Sequence, residues 1–374
     1  MSKEEKVFFP NLDGFRFLSF LIVFLLHGFA PVVNAHQGGG FIITTLRIAL
    51  FQSGQLGVSF FFVLSGFLIT YLILTEKRVF GKFDVKAFYV RRSLRIFPIY
   101  FALLIFVFFI LPLFIEIKLP NPLYYFLFLS NFDLMNSTEN VLGIVAITWS
   151  VAIEEQFYIF WALLFYFANL RVFKYVCFSI IIGSLIFRWS EAGNYTVLYQ
   201  HTFSVISELA IGGLCAYFII FNEKFKSFLE NLSVWSILLG YLMVLPIFAF
   251  SRYFYIYMTL GRLVLCLAIA FIILEQNFSK NSFYKMGNFK ILSILGKYTY
   301  GLYLLHPLVI FFMHLLNERW LGWNAEELLA GSALGIMSLI TSIIVCYLSF
   351  TYFESFFLSL KKHFVRVKTG ETAT

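Results

Sequence analysis

Residues 12–27 read Leu-Asp-Gly-Phe-Arg-Phe-Leu-Ser-Phe-Leu-Ile-Val-Phe-Leu-Leu-His. The run is apolar enough for a membrane helix, yet it carries Arg16 near one end and His27 near the other. On an α-helix the steps between them make about three turns and about 16 Å of rise. At about 100° per residue the two side chains finish about 20° apart, on one face. A guanidinium and an imidazole aligned along a membrane helix are costly unless they face protein or a cavity. The stretch therefore predicts a membrane-embedded site with the other intramembrane polar residues gathered round it.

The rest of the chain agrees with a membrane setting. Of 374 residues, 60% are hydrophobic and only 13% charged, against about 25% charged in soluble domains. The predicted fold class is an all-α integral membrane protein with about ten transmembrane helices. Apolar runs of the expected length fall near 14–33, 55–74, 96–116, 148–168, 172–190, 202–221, 233–250, 256–275, 291–314 and 329–353. Breaks fall at Gly38-Gly39-Gly40, Lys77–Arg95, Pro120-Asn121-Pro122, Asn222-Glu223-Lys224 and Asn277–Lys290. The run 123–132 is apolar but too short to cross, and reads as re-entrant or interfacial. The first run follows Lys3 and Lys6 like a signal peptide, but it is too long for one and is read as an uncleaved span.

The net charge of +8 does not point to nucleic acid, because the basic residues sit in short loops after the even-numbered spans. Lys77, Arg78, Lys82, Lys86, Arg91, Arg92 and Arg95 form one group; Lys280, Lys285 and Lys290 another; Lys361, Lys362, Arg366 and Lys368 the last. By the positive-inside rule both termini are cytoplasmic. Arg47, Lys118, Arg188, Arg252 and Arg319 are scattered on the other side. The chain reads as a single membrane domain over 1–374, with 354–374 a basic cytoplasmic tail. Cys177, Cys215, Cys266 and Cys346 each lie in an apolar run, so neither a disulfide framework nor a metal site is indicated.

Depth brings three titratable residues together. His27 lies about 9 Å from the outer end of the first span, and Glu154 about 9 Å from the outer end of the fourth. His306, in the ninth span, lies about 12 Å from that surface. An imidazole with a carboxylate to orient it is the equipment of acid–base chemistry. A lone membrane histidine is as readily a packing residue. Glu154 and Glu155 are adjacent and point about 100° apart, so one of them faces His27. A second constellation lies at the cytoplasmic level, where Arg91 and Arg95 are i,i+4 and Arg92 and Arg95 i,i+3. Guanidinium groups at the start of a helix suit phosphate, although a positive-inside cluster accounts for them too. The small residues Gly57, Ser65 and Gly66 read as a close helix crossing. Trp149, Tyr195, Tyr199, Trp320 and Trp323 suit either a sugar face or an interfacial aromatic belt, and the belt is preferred.

Five stretches resemble the acyltransferase 3 family of integral membrane acyltransferases. They are Leu12–His27 with its Arg-(ten residues)-His pattern, Gly57–Thr70, Phe88–Tyr100 with Arg-x-x-Arg at Arg92 and Arg95, Trp149–Trp161, and Leu295–Pro307. They occur in the family's order. The resemblance implies an O-acyltransferase that moves an acyl group, most often acetyl, from cytoplasmic acyl-CoA to a carbohydrate or glycolipid acceptor outside the cell membrane of a bacterium. It places the essential Arg and His on Arg16 and His27, the Arg-x-x-Arg on Arg92 and Arg95, and a carboxylate on Glu154. His27, Glu154 and Arg16 are thus the catalytic candidates, with Arg92, Arg95 and Arg16 on acetyl-CoA or another acyl-CoA. His306, Trp149 and Tyr303 are the candidates for holding the acceptor. No metal is called for. His27 serves as general base or as acyl carrier, and both routes stay open. Two departures stand out: Ser59 where the family often has Asp, and Leu-Leu-His-Pro where many members have Trp-His. No hydrolase-like domain follows the last span, so the membrane domain is expected to carry the whole reaction or pass its acyl group to a partner. A transporter or flippase for a lipid-linked sugar is the rival reading of the same polar residues.

Overall fold

The computed structural model describes residues 8–36, 53–136, 143–167, 169–251 and 259–365, with single positions 38, 44, 47, 51 and 367. Lys3, Lys6, Gly39, Gly40, Arg252, Arg366 and Lys368 lie outside the described residues. The principal helices are α1 (Pro10–Gly28), α2 (Gly54–Phe80), α3 (Val85–Ile105), α4 (Pro122–Phe126), α5 (Ser130–Asn136), α6 (Thr148–Phe167), α7 (Leu170–Ser190), α8 (Thr202–Phe221), α9 (Val234–Ala249), α10 (Gly261–Phe278), α11 (Thr299–Leu316) and α12 (Leu328–Ser349). No strand occurs among the described residues. Eight helices are long and apolar enough to cross a membrane, and a ninth crossing results if Glu223–Glu230 and α9, bent by 93°, count together. The protein is a multi-pass, all-helical membrane protein.

Each of the ten expected spans falls on a helix, but among the described residues only eight of these are long and apolar enough to cross on their own. The fourth, α6, has the length but is not among the eight; Glu154, Glu155 and Gln156 dilute its apolar character. The first run is two pieces, α1 and a short helix Ala30–Ala35. Pro31 lacks the N–H that would bond back to the His27 carbonyl, so α1 ends there. Arg91, Arg92 and Arg95, assigned to a loop that ends in a helix start, lie well inside α3. Its N-terminus is eleven residues earlier than expected, where the Asp84 side chain accepts from the Ala87 N–H at 2.9 Å. That loop shrinks to Gly81–Asp84, opened by Gly81 in the left-handed conformation (φ 71°). The tail begins as helix: α12 runs through a π-helical turn, Phe350–Glu354, into Ser355–Lys361.

The helices meet where small residues let backbones touch. A Cβ on Gly66 of α2 would run into the Leu209 carbonyl, and one on Gly212 of α8 into the Val63 carbonyl. Gly57 lies equally close to the Ser19 backbone of α1. These contacts hold α1, α2 and α8 together as the spine. One apolar core, including Phe20, Phe62, Tyr100, Val151 and Leu302, lies where α1 and α2 meet α3, α6 and α11. The other, including Leu12, Phe67, Ala210 and Ile269, lies where they meet α8 and α10. The run 123–132 forms the hairpin α4–α5, turning at Phe128 (φ 56°). This unusual conformation for a side-chain-bearing residue is held by the Phe128 carbonyl, which accepts from Gln156 at 2.8 Å, and by its ring stacked on Tyr100 at 4.6 Å.

Candidate active site

A cavity of about 230 Å³ opens among α1, α2, α3, α6 and α11. Along α2 its lining runs from Glu76 through Ile73, Ile69, Ser65 and Phe62 to Val58. Eighteen positions at helical rise make about 27 Å, close to the hydrocarbon thickness of a bilayer. The volume is small for a pocket that encloses a whole ligand, so the shape is a slender channel.

One end of the channel is strongly charged. Arg16, Arg91, Arg92, Arg95 and Lys361 line it, against Asp13, Glu76 and Glu154. Lys361, Val365 and Val367 bring the C-terminal segment to this mouth, a placement with no signal in local sequence. Two of the arginines are committed to the protein. Arg16 is bonded to Asp13, its i−3 neighbour. Arg91 donates to the Phe364 carbonyl at 2.7 Å and pairs with Glu76 at 3.2 Å. Arg92 reaches further in, its guanidinium 5.3 Å from the Tyr158 ring centre and 5.9 Å from that of Phe88. Arg95 stands beside Glu354, a buried carboxylate on the π-helical turn.

Glu154 answers the question left by the adjacent glutamates. It lines the channel, whereas Glu155 is buried towards Tyr100 and Tyr300. Its neighbours differ from those expected. The hydroxyls of Ser65 and Tyr158, 2.6 Å apart, stand beside the Glu154 carboxylate, and Arg92 acts on it as the nearest cation. Glu154 therefore belongs with Arg92, part-way along the channel, and not with His27. Tyr158, one turn after Glu154, was visible in sequence as an i+4 neighbour but was not singled out.

His27 has another partner. Its Nδ1 lies 3.0 Å from Nε2 of His306, 279 positions away in the chain. His306 is fully enclosed, at 0% exposure, while residue His27 keeps some exposed surface. His306 Nδ1 lies 3.1 Å from the Leu302 carbonyl and 2.9 Å from that of Tyr303. Neither histidine lines the channel, whose uncharged end is formed by Val58 and Tyr303. Tyr303 lines that end, bonded to Ser150 at 2.7 Å, with its ring 5.5 Å from Phe61 and 6.2 Å from His306. Trp149 is covered: it is buried and packs against Phe62 and Tyr199, so its faces are not open to an acceptor. Ser59, the departure from the family pattern, is buried beside Glu208 of α8.

A profile described as an acyltransferase domain matches residues 9–350. The chain belongs to this acyltransferase family. It is 28% identical over 328 residues to proteins named O-acetyltransferase OatA in Staphylococcus aureus strains NCTC 8325 / PS 47 and MRSA252. Each alignment covers 81% of this chain and 51% of the relative, so the chain spans about half the length of these relatives. No solved structure matches. The matched residues contain every helix of the channel and both histidines. An acyltransferase needs an acyl donor and an acceptor.

Proposed function

We propose that the protein is a bacterial plasma-membrane O-acetyltransferase that takes acetyl from cytoplasmic acetyl-CoA and transfers it to a hydroxyl of a carbohydrate or glycolipid on the far side. The observation that carries this reading is the channel itself: about 27 Å long, cationic at one mouth, and lined at its far end by Tyr303, whose ring lies 6.2 Å from that of His306, the partner of His27. A slender acyl-pantetheine arm suits its bore, and the CoA phosphates suit its mouth. The charged mouth lies at the end rich in Lys and Arg, which the positive-inside rule puts in the cytoplasm. Arg92 and Arg95, the Arg-x-x-Arg pair that lines the channel, bind the phosphates. Glu154 keeps Arg92 in place at the channel wall. The names of the Staphylococcus relatives support acetyl as the group carried.

The reaction is balanced within the site. The acceptor oxygen bonds to the acyl carbon, the carbon–sulfur bond breaks, and the hydroxyl proton ends on the CoA thiol. His27 either takes that proton first, as general base, or carries the acyl group on nitrogen between donor and acceptor. General-base assistance accounts for about 10²–10⁴ in rate. The test is binding of acetyl-CoA to detergent-purified protein, wild type against Arg92→Ala/Arg95→Ala, followed by transfer to cell-envelope saccharides with His27→Ala. Binding by the wild type and loss in the double variant, with transfer abolished in a folded His27→Ala protein, is the expected outcome. A folded wild type that ignores acetyl-CoA overturns the proposal.

A further inference from the structure

We infer that His306 is a positioning residue that fixes the tautomer of His27 and leaves the His27 Nε2 lone pair free for the reaction. The inference rests on the proposed acyl transfer for its purpose, but its geometry stands apart from it.

The argument begins with a proline. Pro307 lacks an N–H, so the carbonyl of Tyr303, four residues earlier, has no helical donor. His306 Nδ1 fills the gap at 2.9 Å, with the Leu302 carbonyl at 3.1 Å. Carbonyl oxygens only accept, so Nδ1 of His306 carries the hydrogen. A second proton, on Nε2, would place a cation in a fully enclosed ring that packs against Phe20 and Phe24 at centroid distances of 5.6 and 5.9 Å. Burying a charge without an ionic partner is costly, and the neutral ring already satisfies every contact. Nε2 of His306 is therefore an acceptor.

That acceptor lies 3.0 Å from Nδ1 of His27. The two ring planes differ by only 16° and their centroids lie 5.3 Å apart. The rings thus meet edge to edge, with the contact in both planes, where a nitrogen lone pair points. Nδ1 of His27 is the donor. The neutral His27 ring then has its second nitrogen, Nε2, bare. Both chemistries open to His27 use that lone pair. As a base, Nε2 takes the acceptor's hydroxyl proton while oxygen attacks the acyl carbon, and returns it to the departing thiolate. As a carrier, Nε2 bonds the acyl carbon as the thiolate leaves; the acceptor oxygen then bonds that carbon as the carbon–nitrogen bond breaks, and its hydroxyl proton passes to the thiolate. The hydrogen bond to His306 holds the imidazole in register, as an orienting partner does for other catalytic histidines.

Two measurements test this. Nitrogen NMR of protein labelled with ¹⁵N-histidine, with His27 identified by comparison with His27→Gln, should show Nδ1 protonated and Nε2 bare. A protonated Nε2 in the neutral ring overturns the inference whether or not the protein transfers acetyl. The correctly assigned tautomer in a protein that ignores acetyl-CoA would overturn the proposed function and leave the pairing intact. Kinetics supply the second measurement. His306→Leu removes the acceptor and should lower kcat about 10²-fold with the KM for acetyl-CoA unchanged. His306→Gln restores an acceptor oxygen near the Nε2 position and should recover most of the loss. Both variants lose the carbonyl contacts alike, so equal kcat in the two overturns the inference. If neither variant folds, the wild-type tautomer still decides.

Discussion

Two arginine–glutamate couples in this protein, one half-buried and one sealed, have opposite surroundings. Arg92 and Glu154 face each other at the wall of the channel. Arg262 and Glu208, 3.4 Å apart, sit between α10 and α8 at 1% and 0% exposure. Arg262 also donates to the Leu198 carbonyl at 2.7 Å and to Ser204 Oγ at 2.9 Å, and Arg188 of α7 reaches the Ser204 carbonyl at 3.4 Å. This second pair pins the Tyr195–Gln200 segment to the ends of three helices. Both pairs meet the demand that a buried charge be matched. The comparison teaches that the expense of a buried charge shows that the charge is paired; open space beside it is what makes it part of a site.

The largest expected effect tests the sealed pair. Arg262→Leu leaves Glu208 in the core with only the Arg188 cation facing it, which costs up to about 3–5 kcal/mol. Thermal unfolding in detergent should show a sharply lower Tm, and adding Glu208→Leu to the same chain should recover much of it. An unchanged Tm in Arg262→Leu would remove the distinction drawn here.

The second effect is of another kind. Arg92→Leu also leaves a carboxylate without its arginine, but Glu154 keeps Ser65, Tyr158 and the channel as surroundings. Its Tm should fall by much less than that of Arg262→Leu. Acetyl-CoA affinity should fall by about tenfold or more, in line with about 1.5–3 kcal/mol for a hydrogen bond to a charged group. A Tm loss equal to that of Arg262→Leu would make Arg92 a second staple.

The same contrast explains what could be read from the sequence. The helices were legible because apolar runs and loop charges report membrane crossings directly. Their ends were not, where one residue decides: Pro31 cuts α1 just past His27, and Asp84 starts α3 eleven residues early. Depth along a span put His27, Glu154 and His306 near one level, but depth is silent about rotation. The structure separates them, giving Glu154 to Arg92 part-way along the channel and His306 to His27. The cluster of Glu208, Arg188 and Arg262 was passed over, although the cost argument that selected Arg16 and Glu154 applies to it equally. Lys361 was read as part of a tail, because nothing local shows that a π-helical turn at Phe350–Glu354 carries the chain back over the channel mouth.

Lys361 gives the smallest expected effect and the finest division of the channel. It lines the mouth beside Arg91, whose guanidinium already holds the Phe364 carbonyl. At the mouth a charge acts through water, where a single ion pair contributes about 0.2–1 kcal/mol and salt screens it. Lys361→Ala should therefore weaken acetyl-CoA binding by no more than about fivefold at low salt. The difference from wild type should vanish as salt rises, with Tm unchanged. Arg92→Leu, deeper in, should keep its deficit at every salt concentration. If the two variants respond to salt alike, the donor's phosphates sit at one depth and the mouth and wall of the channel form a single site. If they diverge as expected, Lys361 gathers the donor at the entrance and Arg92 holds it further in, and the C-terminal segment is part of the donor site.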